Sequence, residues 1–352
     1  MENRNCPKCG MLPELPEMPV TIYLFTEIDF LAQKLLDKLR KAKINLQVEE
    51  TLFTVPNRNF TELVNLLTDL SEVEQEGIKV CYSSGELSIS SLISCLKPLK
   101  YFVSTLTHSE YLSMLKDNRF KVYFHPIVNF KEREVFGFEC LIRGVNENGE
   151  IVSPAFLFEA ARQTDTLFYL DRTCRENAIK AARTKITKGF NIFVNFLPTV
   201  IYDPVFCLQT TVKLANQLNM DPQNLIFEIV ETEKVKDIKH LKRILDFYMQ
   251  HGFRVALDDI GTGYSSLDVF IKLYPNFIKI GRDLIEDLDR KSLKRDVVRA
   301  MVDVAEKNGI EVIAEGVERK EEAETLSEIG VNIMQGFLFA KPGPEPIYEI
   351  NF

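Results

Sequence analysis

The stretch Arg254–Ser266, RVALDDIGTGYSS, decides how the rest of the chain reads. Val255–Leu257 is an apolar run leading into two adjacent carboxylates, Asp258 and Asp259, and then into a loop that carries Gly261 and Gly263. A short buried strand that ends in paired acids before a glycine loop is what a metal site at a strand end needs. The apolar run fixes the backbone. The acids point to opposite sides of the pleat unless the strand breaks there, so each serves a different cation or one bridges two. The same pair also suits the capping of whatever element follows.

Outward from this stretch, strand and helix signals alternate from Arg119 to the end of the chain. Strands are expected over residues 121–128, 135–142, 191–195, 225–230, 254–259, 277–280, 311–314 and 333–337, and amphipathic helices over 167–181, 204–218, 238–250, 292–307 and 320–329. Eight strands separated mostly by single helices imply a (β/α)8 TIM-type barrel, a fold of about 250 residues. Too few residues separate Val128 from Val135 for a parallel crossover, so the first strand is expected antiparallel and the barrel irregular.

Before the barrel, VTIYLF from Val20 reads as a strand. Ile28, Leu31, Leu35 and Leu39 then recur at helical spacing, and Ile44, Leu46 and Val48 alternate with polar residues. A second helical pattern over 60–70, a strand over 78–82 and a helical turn over 101–118 complete a small α/β domain at residues 20–118. No catalytic constellation is visible in it, which suits a sensory, docking or dimerising role. Residues 1–19 read as a flexible tail with a CxxC pair, Cys6 and Cys9, and a proline-spaced linker, LPELPEMP. CPKCG is half of a zinc-ribbon signature, and completing it would need a second chain or Cys81 and Cys95.

The 352 residues carry a net charge of −8, which argues against a broad DNA- or RNA-binding surface. Any anionic substrate must therefore meet local Lys, Arg or metal. No apolar run reaches the roughly 18 residues of a membrane span, and the first residues lack a signal-peptide core, so a cytoplasmic location is expected. Seven cysteines, an odd number, suggest free thiols in a reducing compartment.

Polar residues gather at the expected carboxyl ends of the strands: Glu139, Asn195, Glu228, Glu231, Asp258, Asp259, Lys279, Glu315 and Gln335. Chemistry on such a barrel belongs at that end. So many acids in one place would repel strongly without cations between them, which implies a divalent-metal site. Oxygen and amide ligands with no histidine or thiolate cluster suit Mg2+ or Mn2+.

In order along the chain, FECLIR (Phe138–Arg143), VNF with Asn195, FEIVE, LDDIGTGYSSL, IKIG, IAEGVE and QGFLFAKP resemble the motifs of EAL-domain cyclic di-GMP phosphodiesterases, over residues 121–342. The resemblance implies hydrolysis of cyclic di-GMP to linear pGpG by a two-metal mechanism, or alternatively a catalytically weak cyclic di-GMP receptor. It implies that Glu139, Asn195, Glu228 and Asp258 hold one ion and that Asp258, Asp259 and Glu315 hold the second. Two ions about 3.5 to 4 Å apart bind the scissile phosphate and polarise water. Lys279 is then expected to have a lowered pKa and to take a proton from that water. Arg143 is expected on a substrate phosphate, with His125, Leu141 and Gln335 also facing substrate. Glu231 is expected to anchor the loop after Asp259, and Glu318 to support the site.

Four positions depart from the family pattern. Cys140 replaces the alanine of EAL, and Ile260 replaces an aromatic after the acid pair. His125 stands where glutamine is usual, and Gly281 stands where an aspartate normally follows the lysine. Family likeness also implies a homodimer through residues 261–270, with Tyr264, Leu267, Val269 and Phe270 supplying an apolar centre. Specific activity would then fall on dilution.

Overall fold

The structure, a computed structural model, describes residues 12–85, 88, 90, 91, 95–229, 237–260 and 272–350. It divides into two compact units, one of Met1–Asp117 with Ala155–Leu167 and the other of Asn118–Pro154 with Phe168–Phe352.

In the first unit the alternation of VTIYLF becomes β1 (Val20–Phe25), with Val20, Ile22 and Leu24 buried. It is the middle strand of an antiparallel sheet ordered β2-β3-β1-β4-β5, where β2 is Gln47–Glu49, β3 Leu52–Arg58, β4 Lys79–Ser83 and β5 Lys97–Pro98. Helices Asp29–Lys41, Phe60–Leu66 and Leu99–Thr107 bury one face each in the same core. Helix Glu72–Gly77 starts in a reciprocal cap between Ser71 and Glu74. Helix Pro154–Gln163 was not expected from the sequence. It belongs to this unit although its sequence lies past the boundary expected at residue 118: His108 Nε2 meets Gln163 Oε1 at 2.8 Å, and the Tyr111 and Thr166 hydroxyls meet at 2.9 Å.

The expectation that all cysteines are free is corrected here. Cys81 on β4 and Cys95 just before β5 form a disulfide, with Cα atoms 5.4 Å apart. The antiparallel pairing of Lys79 with Pro98 and Val80 with Lys97 brings the two residues together, which a cysteine count cannot register. Bonded to each other, they do not complete a zinc site with Cys6 and Cys9, which lie outside the described residues. Cys140, Cys174 and Cys207 are free and buried.

The second unit is the barrel. β6 (Phe120–Asn129) and β7 (Glu134–Val145) form an antiparallel hairpin. From β7 the ladder continues in parallel through β9 (Asn191–Phe196), β10 (Leu225–Ile229), β11 (Arg254–Ile260), β12 (Phe277–Ile280), β13 (Glu311–Ala314) and β14 (Ile333–Gln335). β14 pairs antiparallel with β6 and closes an eight-stranded barrel, while β8 (Ile151–Val152) is a short edge on β7. The expected helix over 204–218 is instead two, Pro204–Cys207 and Gln209–Gln217.

Inside the barrel, Ile127, Phe193, Ile226, Ala256, Phe277 and Ile313 pack as one buried apolar layer, with Phe136 and Ile333 against it. Side chains repeat their direction every two residues along a strand. Two positions toward the rim from Phe193, Ile226, Ala256, Phe277, Ile313 and Ile333 stand Asn195, Glu228, Asp258, Lys279, Glu315 and Gln335. The polar layer thus rests directly on the apolar one.

Gly336, next to Gln335, has no room for a side chain. An added Cβ would lie 2.0 Å from the Val317 carbonyl oxygen, in a segment held by Val317 N–H to Gln335 O and Leu338 N–H to Val317 O, each 3.0 Å. Gly336→Ala is expected to destabilise the barrel by about 1–3 kcal/mol, the usual penalty of overpacking, and to lower the thermal midpoint by several degrees. Circular dichroism melts of the two proteins check this, and equal midpoints would mean that the Val317 backbone retreats freely.

Candidate active site

The polar layer converges on Lys279. This fully buried side chain places Nζ 2.5 Å from Glu315 Oε1, 2.8 Å from Glu228 Oε1, 3.5 Å from Asp258 Oδ1 and 4.0 Å from Glu139 Oε2. Glu139 is held from both sides. Its Oε1 accepts from the Asn195 amide at 2.7 Å and its Oε2 from the Gln335 amide at 2.9 Å. Metal-ligand and substrate positions expected on separate strands are therefore brought into one cluster.

Asp258 and Asp259 do not alternate as a regular strand would have them. Asp259 has φ +51°, in the left-handed region that aspartate tolerates better than most residues, and the β11–β12 register shifts between Leu257 and Ile260. Its N–H turns back to donate to Asp258 Oδ1 at 3.0 Å. Carboxylate oxygens of Asp258, Asp259 and Glu315 consequently lie within 4.8 Å of one another.

Charges in this cluster act on each other through little water. Burial pushes the Glu228 carboxyl well above its ordinary range, and Glu139, Asp258 and Glu315 push it further, against the pull of Lys279. Glu315 is likewise raised, first by burial and then by Asp258 and Glu139. Burial raises Asp259 too, with Asp258 adding to it. For Glu139 burial is outweighed by Lys279 and the two amide donors, and its pKa falls. The expected lowering of Lys279 is corrected: burial does lower it, but Asp258, Glu139, Glu228 and Glu315 together outweigh burial and raise it well above the ordinary lysine range.

On β7, Glu139, Leu141 and Arg143 fall on one side of the strand by the two-residue repeat, and they pair with His125, Tyr123 and Lys121 of β6. Arg143 is half-buried, its guanidinium 5.4 Å from the Tyr123 ring centroid and donating to the Ile142 carbonyl at 2.8 Å. His125 Nε2–H donates to the Ala340 carbonyl at 3.2 Å, which makes Nε2 the protonated nitrogen of a neutral ring. Burial lowers the His125 pKa, against Glu139, and favours that neutral form. Cys140 is buried on the opposite side, its thiol pushed up by burial and by Glu139.

Glu318 does not enter the cluster. It pairs with Arg282, whose Nη1 also donates to the Gly316 carbonyl at 3.0 Å. Arg282 follows Gly281, which caps the short helix Arg282–Ile285. Arg282 belongs to no motif in the sequence, and its one signal there is a cation directly after a strand-end glycine. Glu322, nearly fully buried, accepts the N–H groups of Glu318 at 3.2 Å and Arg319 at 3.1 Å and so fixes the same loop. Glu231 and residues 261–270, including the expected dimer contacts, lie outside the described residues.

The side chains present fit divalent cations. Both carboxylate oxygens of Glu228 are buried without a hydrogen-bond donor, and Lys279 Nζ, though close, is not aligned to donate to them. Among the described residues, the one ammonium of Lys279 does not balance Glu139, Glu228, Asp258, Asp259 and Glu315. Oxygen donors from five strand ends, with no thiolate or imidazole among them, make the hard donor set that Mg2+ and Mn2+ prefer.

Comparison with known proteins agrees with this geometry. Residues 108–342 match the EAL domain family. The probable cyclic di-GMP phosphodiesterase PdeG of Escherichia coli K12 is 29% identical over 265 residues, covering 73% of this chain and 52% of that protein, so the chain spans about half of that relative's length. A standalone EAL protein from Vibrio cholerae O395, solved with c-di-GMP bound, is 33% identical with a TM-score of 0.59, covering 66% of this chain and 95% of that one. BlrP1 of Klebsiella pneumoniae, solved with manganese and cyclic di-GMP, shares the fold at 20% identity and a TM-score of 0.59 over 93% of this chain and 96% of its own. Motif order, barrel topology and the acid cluster around Lys279 are thereby accounted for together: the chain belongs to the EAL-domain, cyclic di-GMP phosphodiesterase family.

Proposed function

We propose that this chain hydrolyses cyclic di-GMP to linear pGpG. The observation that carries the reading is the convergence of Glu139, Glu228, Asp258, Asp259 and Glu315 on one buried lysine with the Glu228 oxygens left without a donor. Glu139, Asn195, Glu228 and Asp258 would hold one divalent cation, and Asp258, Asp259 and Glu315 a second, with Mg2+ or Mn2+ the ions of choice. Bound there, such ions supply Lewis acidity toward the phosphoryl oxygens and water.

The chain's own groups do the rest. Arg143 meets a phosphate with a planar, two-pronged donor, and Leu141 beside it on the same face gives the nucleotide an apolar contact. Gln335 and Asn195 keep Glu139 ionised and aimed. In the net reaction a water oxygen bonds to phosphorus, the P–O3′ bond breaks, and the water's proton ends on the leaving oxygen. Lys279 takes part in that transfer only as the neutral amine, which its burial favours and the surrounding carboxylates oppose. Its basicity therefore depends on those acids being engaged elsewhere. All site side chains come from the second unit, so we assign residues 20–118 a sensory or docking role.

Incubation with cyclic di-GMP and Mg2+ or Mn2+ should yield pGpG, and EDTA should abolish it. Asp258→Asn, which removes the charge shared between both cation positions, is expected to lose cation binding and turnover together. Full activity in that variant would end the two-cation reading. For Lys279→Ala, turnover is expected to fall by about 10²–10⁴ with substrate binding little changed. An equal loss of binding and rate would instead make Lys279 a substrate clamp.

Two observations favour a slower member that serves as a receptor. Gly281 offers no side chain beside Lys279, and His125 spends Nε2 on Ala340. Gly281→Asp is expected to raise turnover if the missing carboxylate limits the rate. Binding of cyclic di-GMP with no pGpG from either form would establish the receptor.

A further inference from the structure

Building on the two-cation reading, we propose that Asp171 and Arg175 are positioning residues that set the rim end of β9 and, through it, the Asn195 amide. Both sit on helix Leu167–Lys185 at 2% and 0% exposure. Nothing in the sequence reading assigned them a part, since in a helix they resemble an ordinary i, i+4 surface pair. Burying such a pair seldom stabilises a fold, and well-packed apolar residues often do as well or better. Their connections point to a different use.

Asp171 divides its two oxygens. Oδ2 takes the guanidinium of Arg175, at 3.1 Å from Nε and 2.8 Å from Nη2, while Oδ1 accepts the backbone N–H of Leu197 at 2.8 Å. Arg175 is steered in turn from the next helix, Gln209–Gln217, where Thr211 Oγ1 accepts from Nη1 at 2.6 Å. Tyr248, fully buried on helix Ile238–Gln250, lies beside the guanidinium. Three helices thus converge on a single N–H group.

That group follows directly on the strand, which ends at Phe196. Among the described residues the β9–β10 ladder runs to Phe196 opposite Ile229, and Pro198 has no N–H, so the Leu197 N–H is the last one offered before the proline. Asn195 stands two residues earlier and reaches Glu139 at 2.7 Å. A strand end left to fray would move this amide, and buried donors left without an acceptor drive such movement. Asp171 supplies the acceptor, and Arg175, itself held by Thr211, keeps Asp171 in place and opposes the burial that raises its carboxyl pKa.

The test compares two neutral versions of the pair. Arg175→Met with Asp171→Asn keeps an acceptor for Leu197, whereas Arg175→Met with Asp171→Leu, of similar shape, removes it. Mn2+ affinity by calorimetry on the full chain is expected to be about tenfold weaker in the leucine version, the usual effect of losing a group that orients a metal ligand. The Leu197 amide is expected to exchange with solvent faster in that version, and the Asn195 side-chain amide resonances to shift. Equal Mn2+ affinity, equal exchange and unshifted Asn195 signals in the two versions would overturn the proposal. If the parent chain binds no Mn2+, the two-cation reading fails, and the amide exchange and Asn195 signals still decide the positioning role. Should the leucine version not fold, Thr211→Val in the otherwise natural chain replaces it. A severalfold weaker Mn2+ affinity with faster Leu197 exchange supports the proposal, and no change in either overturns it.

Discussion

The buried ammonium of Lys279 among five carboxylates is the constraint on which the rest of the barrel depends. Lys279 is within ion-pair distance of acids from four different strand ends, so it fixes the radius of the polar layer and limits which strand offsets are acceptable. The apolar layer beneath has a matching task. Phe193, Ile226, Phe277 and Ile313 exclude water from below, which strengthens every attraction in the cluster and equally every repulsion. Balance of this kind is poor as a source of stability and good as a receptor for positive charge, because the acids are already desolvated and aimed before a cation arrives.

Much of this arrangement was legible in the sequence because it follows from two periods. The two-residue repeat of strands put Asn195 above Phe193 and Lys279 above Phe277, and helical spacing located Ile238–Gln250, Ser292–Lys307 and Lys320–Ile329 with the bounds they have in the structure. The short Val128–Val135 connection likewise dictated an antiparallel start, which β6 and β7 make.

What escaped the sequence was one local backbone turn and several non-local contacts. Asp259 reads as the next residue of a strand, and only the backbone turn at its positive φ reveals that both acids face the same place. The charge state of Lys279 depends on residues 51 positions before it and 36 after it, Glu228 and Glu315, so its expected place beside two cations suggested the wrong direction of shift. Helix Pro154–Gln163 carries ordinary amphipathic spacing that does not say which core it joins, and Cys81 and Cys95 are partners because of sheet pairing rather than spacing. For Lys279, helix Pro154–Gln163 and the two cysteines the deciding contact lies across the fold, where local propensity has nothing to report.

The reversed direction of β6 changes where the polypeptide enters the barrel. In an all-parallel barrel the first strand begins at the end opposite the chemistry, and anything upstream is attached at that far side. Here Phe120 pairs with Gly144 and Lys121 with Arg143, so the chain arrives at the rim that carries the polar cluster, one strand away from the guanidinium proposed to hold phosphate. A pull or twist on residue 118 would be delivered to the mouth of the site without crossing the barrel, which makes the entry point itself a short lever.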